Sequence, residues 1–188
     1  DTKSVTINGK VGATTISSLK VDAFIIGFNH NSGKEGSNRI HFLLGKISGK
    51  FVGLVDSSYG STTSTSGAFT MNTSNTNSGG WESSQMRSKV LGSASSPTSP
   101  TANTLMAALP SDLRAVMKSC TKYTDNKGGS NTASNVSSTT DYLFLLSEYE
   151  VFATHQYCND AEPNYQAQYD YFKAGNSKVA NKHSATGA

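Results

Sequence analysis

The apolar residues of this chain fall in short runs separated by polar, Gly- and Asn-rich stretches, a spacing that confines it to short elements around one modest core. SVTI at Ser4–Ile7, VDAFIIGF at Val21–Phe28, RIHFLL at Arg39–Leu44 and FVGLV at Phe51–Val55 predict short antiparallel strands. Asn8-Gly9 is a favourable turn pair, and Asn29–Asn38 (NHNSGKEGSN) is a polar loop whose glycines suit φ > 0. No run approaches the ~20 consecutive apolar residues that cross a bilayer, so membrane insertion is not expected.

Beyond the strand-rich start the period changes. Ser57–Gly67 is all Ser, Thr and Gly apart from Tyr59 and offers little to bury. Trp81, Met86, Val90 and Leu91 can share a helix face, with Arg87 and Lys89 outward and Gly92 as the stop. Ser93–Pro100 connects to a helical turn at Thr104–Leu109, and Ser111 is placed to cap a short helix through Leu113, Val116 and Met117. Cys120–Thr124 reads as a strand, Asp125–Thr140 as a polar loop, and Tyr142–Leu146 as a buried strand. Ser147 followed by Glu150 has capping-box spacing, so that strand is expected to deliver the chain into a helix. Tyr165, Tyr169 and Phe172 recur at i, i+4 and i+7, predicting an aromatic-faced helix that stops at Gly175.

Strands first and helices later argue for an α+β class, a twisted antiparallel sheet with a few short helices and long polar loops. A chain of 188 residues fits one domain, 1–188, divided into strand-rich 1–56, loop and helices 57–118, and strand-helix 119–188. Only 35% of residues are hydrophobic and 15% charged, so solubility rests on neutral hydroxyl and amide groups, a surface suited to an extracellular, cell-surface or virion setting. The net charge of +3 comes from scattered Lys and Arg rather than a basic stripe, which excludes a nucleic-acid partner from the expectation. Beginning at Asp1, the chain reads as a processed product or an excised domain.

Candidate chemistry is sparse. His30, His41, His155 and His183 form no ligand-spaced motif, and His41 alternates in a strand as an exposed residue. Cys120 and Cys158 read equally as one bridge or two separate thiols, and a Cys158–His155 pair lacks an activating context. GxSxG and SxxK are absent, and Glu150 serves as a cap rather than as half of a carboxylate pair. No enzyme, catalytic residue or resident cofactor is therefore expected. Calcium is the metal the loops could accept, through Asp125, Asn126 and the Asp160–Glu162 patch. Trp81 is assigned to the core. Tyr59, Tyr157 and Tyr165, with Asn126, are the candidate ligand-contacting residues, because aromatic rings on polar loops give contact area at low entropic cost.

Several stretches together, IIGFNHNSGKEGSNRIHF, FTMNTSNTNSGGW followed by MR, ALPSDLRAVMKSCTKYTDN, and TDYLFLLSEYEVF with QYDYFKAGNSK, resemble a domain-of-unknown-function family of gut Gram-positive bacteria and their phages, often found beside immunoglobulin-like modules. The resemblance covers nearly the whole chain. It implies a C-type-lectin-like or formylglycine-generating-enzyme-like fold, in which Trp81, Met86 and Arg87 and the Leu143–Phe152 stretch are structural. It also implies an incomplete C-terminus: the family continues past a KHSATG-like segment into a Trp-Trp-Leu-Arg-Ser stretch, whereas this chain stops at Ala188. Either the domain is cut there or a neighbouring chain completes the sheet. The two cysteines are atypical of the family.

The expected function is a non-catalytic binding or assembly module displayed on a phage virion or bacterial surface. Its polar loops at Ser57–Gly67, Asp125–Thr140 and Asn159–Asn164 would touch a surface glycan or protein partner. A cell-wall hydrolase or cysteine-dependent enzyme, and a purely structural capsid or tail decoration, are the alternatives.

Overall fold

A computed structural model describes residues 1–12, 14–47, 50–53, 71–72, 74 and 76–182. The predicted Ser57–Gly67 loop, with Tyr59, lies outside the described residues, as does His183. The described chain is α+β: strands β1 (Thr2–Val11), β2 (Thr14–Phe28), β3 (Ile40–Ile47), β4 (Lys50–Gly53) and β7 (Asn181–Lys182) form one sheet in the order β1-β2-β3-β4-β7. β5 (Cys120–Asp125) and β6 (Val136–Asp141) form a second. All pairings are antiparallel except β4 with β7, where Val52 and Gly53 lie opposite Asn181 and Lys182. The helices are short: α1 (Ser32–Glu35), α2 (Leu105–Ala108), α3 (Ser111–Val116), α4 (Glu148–Phe152) and α5 (Asp170–Lys173), with a π-helical segment at Met86–Leu91.

The large sheet has a core on each face, and β2 serves both because successive side chains on a strand point to opposite sides. Val21, with Val5, Ile7, Val11 and Ile16, packs against Trp81, Met86, Val90, Leu91, Leu105 and Leu109. Phe24 and Ile26 face the other way, against Tyr169 and Phe172.

Several local expectations are corrected. β2 is 15 residues long, not short. Asn8-Gly9 makes no turn; β1 runs through it with a register shift between Ile7 and Gly9, a β-bulge. Gly9 has φ of +145°, and a Cβ there would lie 3.3 Å from the Ala108 Cβ, so the bulge lets β1 and α2 approach. The helix expected from Trp81 is confined to Met86–Leu91 and wound as π, with Gly92 closing it in the left-handed region as predicted. Pro110, not Ser111, occupies the N-cap of α3.

Tyr142–Leu146 is not a strand: the β5–β6 ladder ends at the Cys120–Asp141 pair, and the Tyr142 amide donates instead to the Ser93 carbonyl at 2.7 Å. The run is apolar because it supplies both cores, Leu143 and Phe144 to one and Leu146 to the other. The strands missed are the two-residue β7 and β6, whose sequence VSSTTD buries Thr139 and Asp141 rather than apolar side chains. Tyr165, Tyr169 and Phe172 share no helix; Tyr169 is the N-cap of the four-residue α5, and Tyr165 follows a 3₁₀ turn at Glu162–Asn164. The capping box of α4 is present in full: Ser147 Oγ accepts from the Glu150 amide, and the Ser147 amide donates to Glu150.

Candidate functional site

Where β5 starts it meets α1 and β3, and the contact is polar. Glu35 closes α1 with its side chain 3% exposed. Glu35 Oε1 accepts from the Thr121 amide at 2.6 Å and from Asn31 Nδ2 at 3.1 Å, while Oε2 lies 3.2 Å from His41 Nε2. The other His41 nitrogen, Nδ1, lies 2.8 Å from the Tyr169 hydroxyl. His30 stacks on the Tyr169 ring, centroids 3.6 Å apart. Cys120 Sγ lies 3.6 Å from Asn31 Nδ2. Two residues along β5, on the same face, Lys122 pairs with Glu150 of α4, both side chains 2% exposed, and its ammonium lies 4.5 Å from the Phe144 ring centre. His41, expected on an exposed face, is thus 8% exposed and tied at both nitrogens: β3 carries it beneath Tyr169 of the second core.

The electrostatics of this cluster oppose nucleophilic chemistry. Burial, then the bond to Glu35, pushes the Cys120 thiol up. Burial alone would raise Glu35, but bonds from His41, Cys120, Thr121 and Asn31 outweigh it and hold the carboxyl at about 2. Burial likewise raises the Tyr169 phenol. The cluster does bring together what the sequence kept apart: a carboxylate oxygen of Glu35, a His41 ring nitrogen and Cys120 Sγ all lie within 4.8 Å of one another. Among the described residues this is the set of three His, Cys, Asp or Glu side chains whose ligand atoms converge closely enough to hold a metal.

The acidic loops do something else, which is to brace one another. Asp125 Oδ1 accepts from the Lys127 and Gly128 amides at 3.0 and 2.7 Å, and Oδ2 from Asn159 Nδ2 at 2.9 Å. Glu162 accepts from the Asp125 amide, and the Asp160 amide donates to Asn131 Oδ1. Asn126 is 7% exposed, its oxygen taking the Glu82 amide at 2.9 Å and its nitrogen donating to the Ser137 carbonyl at 3.0 Å. A Cβ on Gly80 would lie 1.9 Å from the Asp125 carbonyl oxygen, so the Gly-Gly-Trp turn can rest on β5 only as glycine.

On this braced base Glu148 fixes the next loop. Its carboxylate accepts the successive amides of Gln156, Tyr157 and Cys158 at 2.9, 2.7 and 3.0 Å, and those bonds, Gln156 and Tyr157 foremost, hold its pKa down. The clamped backbone leaves the Tyr157 side chain 86% exposed. Tyr165 is 40% exposed and stacks on Tyr123, centroids 4.7 Å apart and rings 7° from parallel, with Lys34 Nζ 5.0 Å from the Tyr123 centre and bonded to the Tyr165 carbonyl. Cys158 is half-buried, and burial with the charges of Glu162 and Glu148 pushes its thiol up to about 11. The two thiols are free rather than bridged.

Of the predicted contact residues, then, Tyr157 and Tyr165 stand at the surface of the braced loops, and Asn126 lies inside them. Sequence reasoning missed Glu35 and Lys122, for which no local pattern exists, and weighed Glu148 only as half of a carboxylate pair with Glu150. The signal available for Glu35 and Cys120 was residue type alone. A shallow open groove of about 470 Å³ lies elsewhere, over Ser4, Ser18, Lys20, Asp22 and Lys46.

A family model described as a domain of unknown function, DUF6273, matches residues 61–188. No curated protein and no solved structure matches the chain.

Proposed function

The chain belongs to the DUF6273 domain family, and we propose that it is a non-catalytic binding or assembly module of a phage virion or bacterial surface, built on a C-type-lectin-like framework that presents its braced loops to a glycan or protein partner. The observation that carries this reading is Tyr157, an aromatic residue 86% exposed on a backbone whose three successive amides donate hydrogen bonds to the Glu148 carboxylate. An exposed side chain on a mobile loop loses entropy on binding, whereas a preorganised aromatic loses little and supplies a large apolar and hydrogen-bonding surface. Tyr165 on Tyr123 adds a second aromatic surface on the neighbouring turn.

The alternative of a cysteine-dependent enzyme finds less support. Both thiols sit where burial and carboxylates disfavour the thiolate, and His41 has committed both ring nitrogens. A glycan array probed with the intact chain and with Tyr157→Ala tests the proposal, alongside chemical cross-linking to purified virions and cell walls. Binding to at least one surface and a loss of about tenfold or more in Tyr157→Ala, with the fold retained by circular dichroism, is expected for an anchor residue. Equal binding by both proteins, or no ligand on any surface, would contradict it.

A further inference from the structure

We propose that Glu35, His41 and Cys120 bind one zinc ion that joins α1, β3 and β5, a site independent of the loop-face reading. Glu35 and His41 lie six residues apart on consecutive elements and Cys120 is remote from both in sequence, yet their ligating atoms lie within 4.8 Å of one another. Zinc held at its usual bond lengths to nitrogen, oxygen and sulfur sets tetrahedral ligand–ligand distances of roughly 3.2–3.8 Å. The 3.2 Å between His41 Nε2 and Glu35 Oε2 already falls there, and the remaining closure is about 1 Å of side-chain movement.

The surroundings match what a zinc ligand set needs around it. Glu35 Oε1 is held by the Thr121 amide and Asn31 Nδ2, which leaves Oε2 as the ligand oxygen. With Nε2 on the metal, His41 Nδ1–H donates to the Tyr169 oxygen 2.8 Å away, the outer bond that fixes tautomer and ring orientation at metal-binding histidines. The charges also balance: one carboxylate and one thiolate cancel the dication, so the loaded site is neutral and suits its burial, and Lys122 is already compensated by Glu150. Binding breaks the S–H bond of Cys120 and releases that proton to solvent as the Zn–S bond forms. A mixed nitrogen, oxygen and sulfur set selects zinc over the hard cations, which take oxygen alone. The fourth position falls to a water. Among the described residues the buried His30 Nε2, on a ring whose centroid lies 5.8 Å from that of His41, has no hydrogen-bond partner, and a bond to that water would satisfy it.

The consequence is mechanical. α1 carries Lys34, which bears on the Tyr123–Tyr165 stack, so an ion joining α1 to β5 would stiffen the strand that the braced loops leave. The experiment is metal analysis and cobalt substitution of the intact chain. One zinc per chain is expected after dialysis. Cobalt should give a tetrahedral visible spectrum with a thiolate-to-cobalt charge-transfer band, kept in Cys158→Ser and lost in Cys120→Ser. Should Cys120→Ser not fold, His41→Gln and the spectra of the intact chain and Cys158→Ser decide. Absence of stoichiometric zinc, absence of the thiolate band in the intact chain, or its persistence in Cys120→Ser would overturn the assignment.

Discussion

Asp141 has no exposed surface, and its two oxygens gather three donors: Arg87 Nε at 2.8 Å, the Trp81 indole at 3.0 Å and Thr139 Oγ1 at 2.6 Å. Arg87, expected to point outward, is turned in by this charge, its side chain 17% exposed. A single carboxylate thereby fastens the Gly-Gly-Trp turn and the π-helical segment to the end of β6. Removing one partner of such a pair strands the other in a poorly solvated place. Asp141→Ala is expected to destabilise the fold by about 3 kcal/mol, read as a fall in the urea midpoint with unchanged slope. An effect no larger than that of an exposed ion pair, ~0.5 kcal/mol, would show that the clamp is dispensable.

Elements here are too short to hold themselves, so each depends on a side chain reaching across from another. α4 has five residues and a full capping box, and Glu148 in its first turn holds the following loop by three amides. Because those bonds favour the charged carboxylate, its folded pKa lies below the ordinary 4.5, and the electrostatic effect of His155 adds to the lowering. The loop's contribution to stability is then complete above 4.5 and is lost as pH falls through the lowered value. Amide resonances of Gln156, Tyr157 and Cys158 should move together in that acid window and be already displaced at neutral pH in Glu148→Gln. Independent movement of the three would count against a shared clamp.

The same dependence decides what could be read from sequence. Strands β1 to β4 of the large sheet and the α4 cap were legible, since alternation and a capping box are local signals, whereas the two-residue β7 was not. β6 was not, because its buried face is Thr139 and Asp141 and its partner lies across a loop. His41 was misplaced for a related reason: period two says that one face differs from the other, and only packing under Tyr169 says which is buried. Tyr157 was legible as an aromatic on a polar loop, while Tyr165 was named as a contact residue but assigned to a helix it does not join; the clamp that presents Tyr157 and the convergence of Glu35 and His41 with Cys120 arise from tertiary contacts.

At the scale of the whole molecule, one sheet with a core on each face carries two kinds of polar construction. Buried groups, at Asp141, Lys122–Glu150 and Glu35–His41, lock elements to one another, while Asp125, Glu148 and Asn159 set loops in fixed positions at the surface. The named carboxylates are thus engaged in holding shape, and among the residues exposed on the fixed loops is the Tyr157 ring. The most direct measurement places a photo-reactive phenylalanine analogue at position 157 and, as a control, at Val116, which is 70% exposed on α3. Irradiated on purified virions or bacterial cell walls, the probe at 157 should give a discrete covalent adduct and the probe at 116 none. No adduct from 157, or equal labelling from both positions, would contradict the assignment of this loop face as the contact surface.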